Sequence, residues 1–235
     1  MNPTAHDFRY PADERLSLDN AALVMIDHQT GLLSACRDYP PETLQNNILA
    51  LAQVGKMFGL PVVLTQGGRG GGSAAGPLLR GLAELFPDVP VVDRHFPNAY
   101  DDPNFRDRID KAGRKKLIMA GCTFDYCLAL PAMHLAADGY DVYAVVDASG
   151  NWDTLSTQAT MHRLTQAGVI CCNWVAVWGE LYRDHEGDRD DGEVMRVMAK
   201  AYPALGWVTN NWMHAQGRYP EQTLLRDRGP DGDPS

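Results

Sequence analysis

Cysteine is sparse in this chain, acidic residues outnumber basic ones, and no long apolar run is present. The 5 cysteines among 235 residues are an odd number without regular spacing, which argues against a disulfide framework. The 21 lysines and arginines against 30 aspartates and glutamates give a formal net charge of −9. This charge argues against binding to nucleic-acid backbones and anionic membranes, so we expect neither kind of partner.

Signals for export or membrane insertion are not recognisable either. The stretch from Met1 to Arg15 is polar and has no apolar centre, so we expect no signal peptide. The longest apolar runs have only the length of strands, so we expect no membrane-spanning helix. Together with free thiols, these features predict a reducing, cytoplasmic location.

What the sequence does contain is an alternation of strand-like and helix-like segments. Most strand candidates are rich in Val, Ile and Leu without alternating polar residues, which is typical of parallel strands buried on both faces. The strand candidates are 21–27, 61–66, 89–94, 116–121, 141–147 and 168–174. Five helical patterns separate them, opened by Pro40-Pro41, Gly76-Pro77 and Asp102-Pro103 or covering about 125–139 and 156–168. This order predicts an α/β fold, a three-layer, doubly wound, Rossmann-like sandwich around a six-stranded parallel sheet.

The C-terminal part of the chain has a different character. Residues 192–201 predict one further helix, whereas the chain from Pro203 onward shows little periodicity. This last segment carries tryptophans, which favours packing on its own domain or on a neighbouring subunit. Its final residues have the composition of a disordered end. We therefore expect one domain over residues 1–200 and a C-terminal extension over residues 201–235.

A thiol stands where the fourth strand candidate turns into a helix. The run Gly121–Cys127 leaves the apolar stretch Lys116–Ala120 and enters a helix-like pattern. This places Cys127 at the carboxyl edge of the sheet, where α/β folds bind ligands, and beside a helix N-terminus, which lowers the pKa of a thiol. The alternative is a buried structural cysteine, since free cysteine is among the most buried residue types.

A carboxylate ends another strand candidate at the same edge. Asp27 follows the apolar stretch 21–26, and we interpret it as a base that takes the thiol proton and returns it to a leaving group. The alternative is a solvated aspartate that begins a loop or caps a helix. His28 is the rival base, but consecutive side chains point in different directions. We favour Asp27 and interpret His28 as structural.

Arg94 supplies a positive charge at the end of a third strand candidate. A guanidinium a few ångströms away favours a thiolate over a thiol and keeps a carboxylate ionised. The alternative is a surface ion pair with Asp93 or Asp125. A thiol, a carboxylate and a guanidinium that meet at one edge predict the active site of a hydrolase.

These residues lie in motifs that occur in a recognisable order. The principal motifs are Val24–Ser34 (VMIDHQTGLLS), Arg94 with Asn98-Ala99-Tyr100, and Ala120–Cys127 (AGCTFDYC). Further motifs lie at 139–143, 147–150 and 180–184. As an ordered set over about residues 15–185, they resemble the isochorismatase-like cysteine hydrolase superfamily, and especially its YcaC-like branch. The resemblance implies a single isochorismatase-like hydrolase domain.

The resemblance also implies a catalytic triad of Asp27, Arg94 and Cys127. Asp27 is then the general base, and Cys127 is the nucleophile toward a C–N or similar carbonyl centre. The family usually has lysine at the middle position, and arginine there resembles the YcaC-like branch. Because arginine does not release its proton, we expect its role to be electrostatic.

Around the triad, the resemblance implies a non-proline cis peptide between Cys122 and Thr123. This peptide would direct the backbone N–H groups of Thr123 and Cys127 at a developing oxyanion. Cys122 itself is interpreted as a buried apolar residue. Candidate substrate-binding residues are Gln29, Phe96, Asn98, Tyr100 and Phe124.

A metal-binding motif of the related nicotinamidases is missing. Those enzymes carry Asp-x-His-x-x-x-His after the second strand, whereas residues 65–73 (TQGGRGGGS) contain neither histidine nor acid. We therefore expect no catalytic metal and no cofactor, and nicotinamidase activity is disfavoured.

The leading hypothesis is a metal-free cysteine hydrolase that cleaves a small amide, carbamate or related C–N substrate through a thioester. One alternative is a vinyl-ether hydrolase of the isochorismate type. The other is a catalytically weak oligomeric scaffold with the same fold. The YcaC-like resemblance further implies a homo-oligomer, either a tetramer or an octamer.

Overall fold

A six-stranded parallel sheet organises the protein. The computed structural model describes residues 15–68, 73–182 and 191–215. Its strands are β1 (Ala21–Ile26), β2 (Val62–Gly67), β3 (Val91–Arg94), β4 (Lys116–Gly121), β5 (Asp141–Val145) and β6 (Ile170–Cys172). They are hydrogen-bonded in the order β3-β2-β1-β4-β5-β6. The predicted α/β class and parallel sheet are confirmed, and each predicted strand boundary lies within 2 residues of the observed one.

Helices cover both faces of this sheet. They are α1 (Thr30–Ala35), α2 (Pro41–Met57), α3 (Arg80–Leu85), α4 (Pro103–Ala112), α5 (Ala129–Ala137), α6 (Thr154–Gln166), α7 (Trp174–Leu181), α8 (Asp191–Ala201) and α9 (Pro203–Ala215). Alternate residues of β1 enter two separate cores, Leu23 and Met25 on one face and Val24 and Ile26 on the other. This division explains why the strand sequence is continuously apolar.

Several local predictions were wrong for identifiable reasons. Gly76-Pro77 does not open a helix, because Gly76 has φ +70° and the following segment pairs in an extended form with Gln29. The sixth strand ends earlier than predicted, because Asn173 caps α7, and its side-chain oxygen accepts a hydrogen bond from the Ala176 N–H. The segment after Pro203 is helical despite its weak periodicity.

The described part of the C-terminal segment contacts the core through buried residues of α8, such as Val197 and Ala201, and through an aromatic pair. Tyr202 stacks on the buried Trp174 with ring centroids 5.5 Å apart, whereas Trp207 on α9 is 69% exposed. The residues that we predicted to be disordered lie outside the described residues. None of the described helices is long and apolar enough to cross a bilayer.

Asp147 is a partly buried carboxylate next to this aromatic pair. Its Oδ1 accepts a hydrogen bond of 3.0 Å from the Trp174 N–H, and burial raises its pKa from 3.8 to about 6. Because the folded-state pKa lies above the unfolded-state value, the folded state binds the proton more tightly. The carboxyl group therefore costs stability as pH rises from about 4 to about 6, by about 2 to 3 kcal/mol in total.

We expect Asp147→Asn to remove this pH dependence, because the amide can still accept the Trp174 bond but does not ionise. Urea unfolding should show equal stabilities near pH 4, and an advantage for the variant of about 2 to 3 kcal/mol near pH 7.5. The same difference between variant and wild type at both pH values would contradict this account.

Candidate active site

The carboxyl ends of four adjacent strands form the candidate site. β1 lies between β2 and β4, and β3 extends the sheet beyond β2. Asp27 follows β1, Arg94 ends β3, and Cys127 lies in a π-helical turn (Phe124–Leu128) shortly after β4. Parallel topology therefore brings together three residues that are far apart in the sequence.

Asp27 is held by a set of hydrogen-bond donors. It is only 2% exposed, its Oδ1 accepts a bond of 2.7 Å from Thr65 Oγ1, and its Oδ2 accepts from Arg94 Nη2. Its backbone has φ +54°, a left-handed conformation that aspartate tolerates better than most residues. Burial raises the pKa of Asp27, and the charge of Arg94 and the bonds from Thr65 and Cys127 oppose that rise.

Arg94 is buried, so the alternative of a surface ion pair is excluded. It is 2% exposed and forms its ion pair with Asp27. Its second terminal nitrogen, Nη1, donates to Phe96 O and, at 2.9 Å, to Pro97 O. These carbonyl contacts fix the guanidinium and leave its charge directed at Asp27.

Cys127 contacts the carboxylate directly. Its side chain is hydrogen-bonded to Asp27, and a backbone hydrogen bond from Thr123 also reaches it. Burial raises the pKa of the Cys127 thiol to about 12, and the negative charge of Asp27 adds to the rise while Arg94 opposes it. The expectation of a lowered thiol pKa was therefore wrong for the resting protein. Burial raises the pKa by more than Arg94 lowers it, because the Arg94 charge is already paired with Asp27.

These contacts assign the shared proton to sulfur. The hydroxyl of Thr65 and the guanidinium of Arg94 both donate to Asp27, which is the pattern of an ionised carboxylate. The third partner, Cys127, is then a neutral thiol that donates its S–H to Asp27. The resting site is a neutral thiol next to an ionised carboxylate.

His28 does not compete for this role. Its Nε2 lies 3.0 Å from Ala148 O, and burial lowers its pKa to about 4. The ring is therefore neutral, with its proton on Nε2 directed at a backbone carbonyl. This arrangement agrees with the structural role predicted for His28.

A cis peptide joins Cys122 and Thr123, at the position that the family resemblance implies. Cys122 is fully buried, and its Sγ lies 4.0 Å from Cys36 Sγ. The bond between the Thr123 backbone and Cys127 brings one of the two amides of the predicted oxyanion site close to the sulfur.

A pocket of about 210 Å³ lies beside Cys127. Of the predicted residues, Asp27, Arg94, Cys127, Gln29 and Phe96 line it. Sequence reasoning missed seven other lining residues, which are Leu32, Gly67, Gly68, Ala75, His95, Pro97 and Tyr126. Only their proximity in sequence to Gln29, Arg94 or Cys127, or to the glycine-rich run after β2, could have indicated them.

Three predicted substrate-binding residues are not in the lining. Asn98 caps a short 3₁₀ turn by accepting a bond of 3.1 Å from the Tyr100 N–H. The Tyr100 hydroxyl donates to Asp138, and its ring stacks on His134. Phe124 is fully buried in the core, so its side chain is not available to a ligand. None of these three residues lines the pocket.

The described parts of the chain contain no group of three or more His, Cys, Asp or Glu side chains placed to hold a metal ion. The functional groups in the pocket lining are the Cys127 thiol, the Asp27 carboxylate and the Arg94 guanidinium, together with the His95 imidazole and the Tyr126 hydroxyl.

Comparison with known proteins extends these observations. The isochorismatase domain family matches residues 21–175. The probable hydrolase YcaC of Escherichia coli is 39% identical over 175 residues, which cover 74% of this chain and 83% of YcaC. Its crystal structure, that of an octameric hydrolase of unknown specificity, superposes with a TM-score of 0.81 at 34% identity, covering 86% of this chain and 97% of YcaC.

A second solved structure is equally similar. YcaC from Pseudomonas aeruginosa, with hexane-2,5-diol and covalent acrylamide, superposes with a TM-score of 0.81 at 35% identity and covers 87% of this chain and 98% of its own. The family match over residues 21–175 includes the strands that carry the three clustered residues. The chain therefore belongs to the isochorismatase family of hydrolases, in its YcaC-like branch.

Proposed function

We propose that this hydrolase cleaves a small, neutral amide, carbamate or related C–N substrate through a thioester on Cys127. The observation that carries the proposal is the chain of contacts from the Cys127 thiol to Asp27 and from Asp27 to Arg94. A nucleophile in contact with its base, and a base fixed by a third group, is the general arrangement of covalent catalysis.

In the first half of the reaction, Asp27 takes the thiol proton while the sulfur attacks the substrate carbonyl carbon. The carbonyl oxygen becomes an oxyanion, which the N–H groups of Thr123 and Cys127 stabilise. Collapse of this intermediate breaks the C–N bond. Asp27 returns the proton to the departing nitrogen, and an acyl thioester remains on Cys127.

In the second half, water attacks the thioester and Asp27 takes a proton from that water. The tetrahedral intermediate then expels the Cys127 sulfur, which regains its proton from Asp27. The product is a carboxylic acid from an amide, or a carbonic acid monoester from a carbamate, which then loses CO₂ to give the alcohol. Arg94 carries the same charge throughout and stabilises the ionised form of Asp27. This route needs no metal, because the thiol and the carboxylate supply nucleophile and base.

The charges in the pocket support a neutral substrate. Among the described lining residues, Arg94 is the one Lys or Arg, and its terminal nitrogens are occupied by Asp27 and two backbone carbonyls. Isochorismate carries two carboxylates, which would require additional cations. The vinyl-ether alternative is therefore less well supported than amide or carbamate cleavage, and a volume of about 210 Å³ suits a small molecule.

We also propose a homo-oligomer, since E. coli YcaC is an octamer. Exposed apolar side chains support this proposal: Leu155 is 75% and Val208 65% exposed, beside the exposed Trp152 and Trp207. Exposed apolar patches are typical of surfaces that contact a partner. The C-terminal extension, through α9, is a natural contributor to subunit contacts.

The experiment that tests the proposed function is a turnover screen with small neutral amides and carbamates. We expect at least one to be hydrolysed to its acid and amine by the wild type, and not by Cys127→Ala at the same protein concentration. Peptide mapping after incubation with acrylamide should locate an adduct on Cys127. Equal hydrolysis by both proteins would refute the proposal. Cleavage of isochorismate alone would support the vinyl-ether alternative, and no turnover together with an unreactive Cys127 would support the scaffold.

A further inference from the structure

Gln29 lines the pocket, but its amide group is already occupied. Gln29 is fully buried, and its Nε2 donates to Gly67 O at 3.1 Å and to Gly76 O. Its Oε1 accepts a bond of 2.8 Å from the Gly67 N–H. A glutamine amide has two donor hydrogens, and both are used. Gln29 therefore offers no N–H to a substrate, unlike the role expected from the sequence.

These bonds attach Gln29 to the end of β2. Because the amide accepts from the N–H of Gly67 and donates to its C=O, the side chain pairs with Gly67 as a neighbouring strand would. The same amide also reaches Gly76, in the segment whose backbone is bonded to residues 28–31. The Gln29 side chain thus links the segment after β1 to the end of β2 and to the segment around Gly76.

Gly67 in turn lies between the two charged residues of the site. It pairs in register with Arg94, and the next N–H, that of Gly68, donates to Arg94 O at 3.2 Å. A Cβ atom at Gly67 would lie 3.5 Å from Asp27 Oδ2 and 3.8 Å from Gln29 Oε1. The end of β2 therefore lies close to the Asp27 carboxylate and is hydrogen-bonded to the Arg94 backbone.

We propose that Gln29 is a positioning residue that holds the end of β2, and through it Arg94, against Asp27. This inference rests on the proposed function, because it assigns to Gln29 the alignment of the charges that activate Cys127. It predicts that removing the Gln29 amide slows the alkylation of Cys127 in the same way as removing the Arg94 charge, but to a smaller extent.

The test measures the rate of Cys127 alkylation by acrylamide in the full chain near neutral pH, for wild type, Arg94→Met, Gln29→Met and the double variant. Fragmentation mass spectrometry locates the adduct, since Cys171 and Cys172 are partly exposed. Removing the Arg94 charge should raise the thiol pKa by about 1 to 3 units and slow alkylation about 3- to 30-fold, because lower thiolate content is partly offset by higher nucleophilicity. Gln29→Met should slow it about two- to fivefold.

The double variant gives the sharper result. If Gln29 acts through Arg94, Gln29→Met should change the rate less than about twofold in the Arg94→Met background. A matched control is Asn47→Leu. Asn47 is another buried amide, but it donates to Asp147 O and accepts from Trp174 Nε1, in the core formed by α2 and α7. This variant should lose stability without a change in the alkylation rate.

The outcomes separate the inference from the proposed function. If Arg94→Met slows alkylation and Gln29→Met does not, the positioning role is refuted and the triad stands. Additive effects in the double variant would likewise refute it. If neither variant slows alkylation, the electrostatic role of Arg94 is refuted as well. Should Gln29→Met fail to fold, Gln29→Asn, which is too short to reach both glycines, replaces it in the same comparison.

Discussion

Replacing Cys127 by alanine or serine is expected to lower kcat/KM by about 10⁴-fold or more, because loss of the nucleophile leaves only binding and the oxyanion donors. The serine hydroxyl can occupy the same place, but Asp27 is too weak a base to activate an alcohol of much higher pKa. The measurement is steady-state hydrolysis of the best amide or carbamate found in the screen.

The fold provides the control for this prediction. Cys127 is 8% exposed, and serine differs from cysteine by a single atom, so the thermal unfolding midpoint of Cys127→Ser should stay within a few degrees of wild type. Activity within tenfold of wild type in a correctly folded serine or alanine variant would show that the thiol is not the nucleophile.

The second large effect is expected for Asp27→Asn. The amide is nearly isosteric but does not accept a proton from sulfur or water, so kcat/KM should fall by about 10²- to 10⁴-fold, as for the loss of a general base. Stability should fall as well. Arg94 would lose its buried counter-ion, a change that costs about 3 to 5 kcal/mol at comparable sites. Steady-state kinetics and urea unfolding measure the two effects.

Asp147→Asn is the matched control for this substitution. It makes the same chemical change at a partly buried carboxylate at the same edge of the sheet, where Asp147 accepts a hydrogen bond from Trp174. Its activity should remain within about twofold of wild type. Equal loss of activity in both variants would indicate a general effect of removing a buried carboxylate, and would contradict the specific role of Asp27.

The positions of Asp27, Arg94 and Cys127 could be predicted from the sequence, because the apolar strands that place them are visible in short segments of the chain. Apolar runs such as 21–26 and 116–120 define buried strands, and parallel topology brings their carboxyl ends to one edge. Asp27, Arg94 and Cys127 each lie at or just beyond such an end. Their proximity then follows from the fold without any knowledge of side-chain contacts.

The protonation state of the thiol was not predictable in the same way. A helix N-terminus and a nearby cation indicated a lowered pKa for Cys127. The structure adds the burial of the sulfur and the contact with Asp27, which together raise that pKa to about 12. Both effects depend on tertiary packing, and because of them the thiol pKa is raised where the sequence predicted that it would be lowered. The proposed mechanism therefore assigns activation of the thiol to the Asp27 carboxylate.

The role of Gln29 also depended on tertiary contacts. Its neighbour Asp27 indicated a place in the pocket, and that is where it lies. Its hydrogen bonds go to Gly67, the last residue of β2, and to Gly76, which has φ +70°, and both are distant from Gln29 in sequence. Only the pairing of these segments reveals that the amide is saturated.

The central claim is that Cys127 forms an acyl thioester during turnover. The most direct test uses a nitrophenyl ester that carries the acyl group of the best amide substrate, so that acylation is fast. We predict an initial burst that releases close to one molecule of nitrophenolate per active site. Samples quenched during the burst should carry the acyl group on Cys127. Linear release from the first turnover, with Cys127 unmodified at every time point, would contradict the claim.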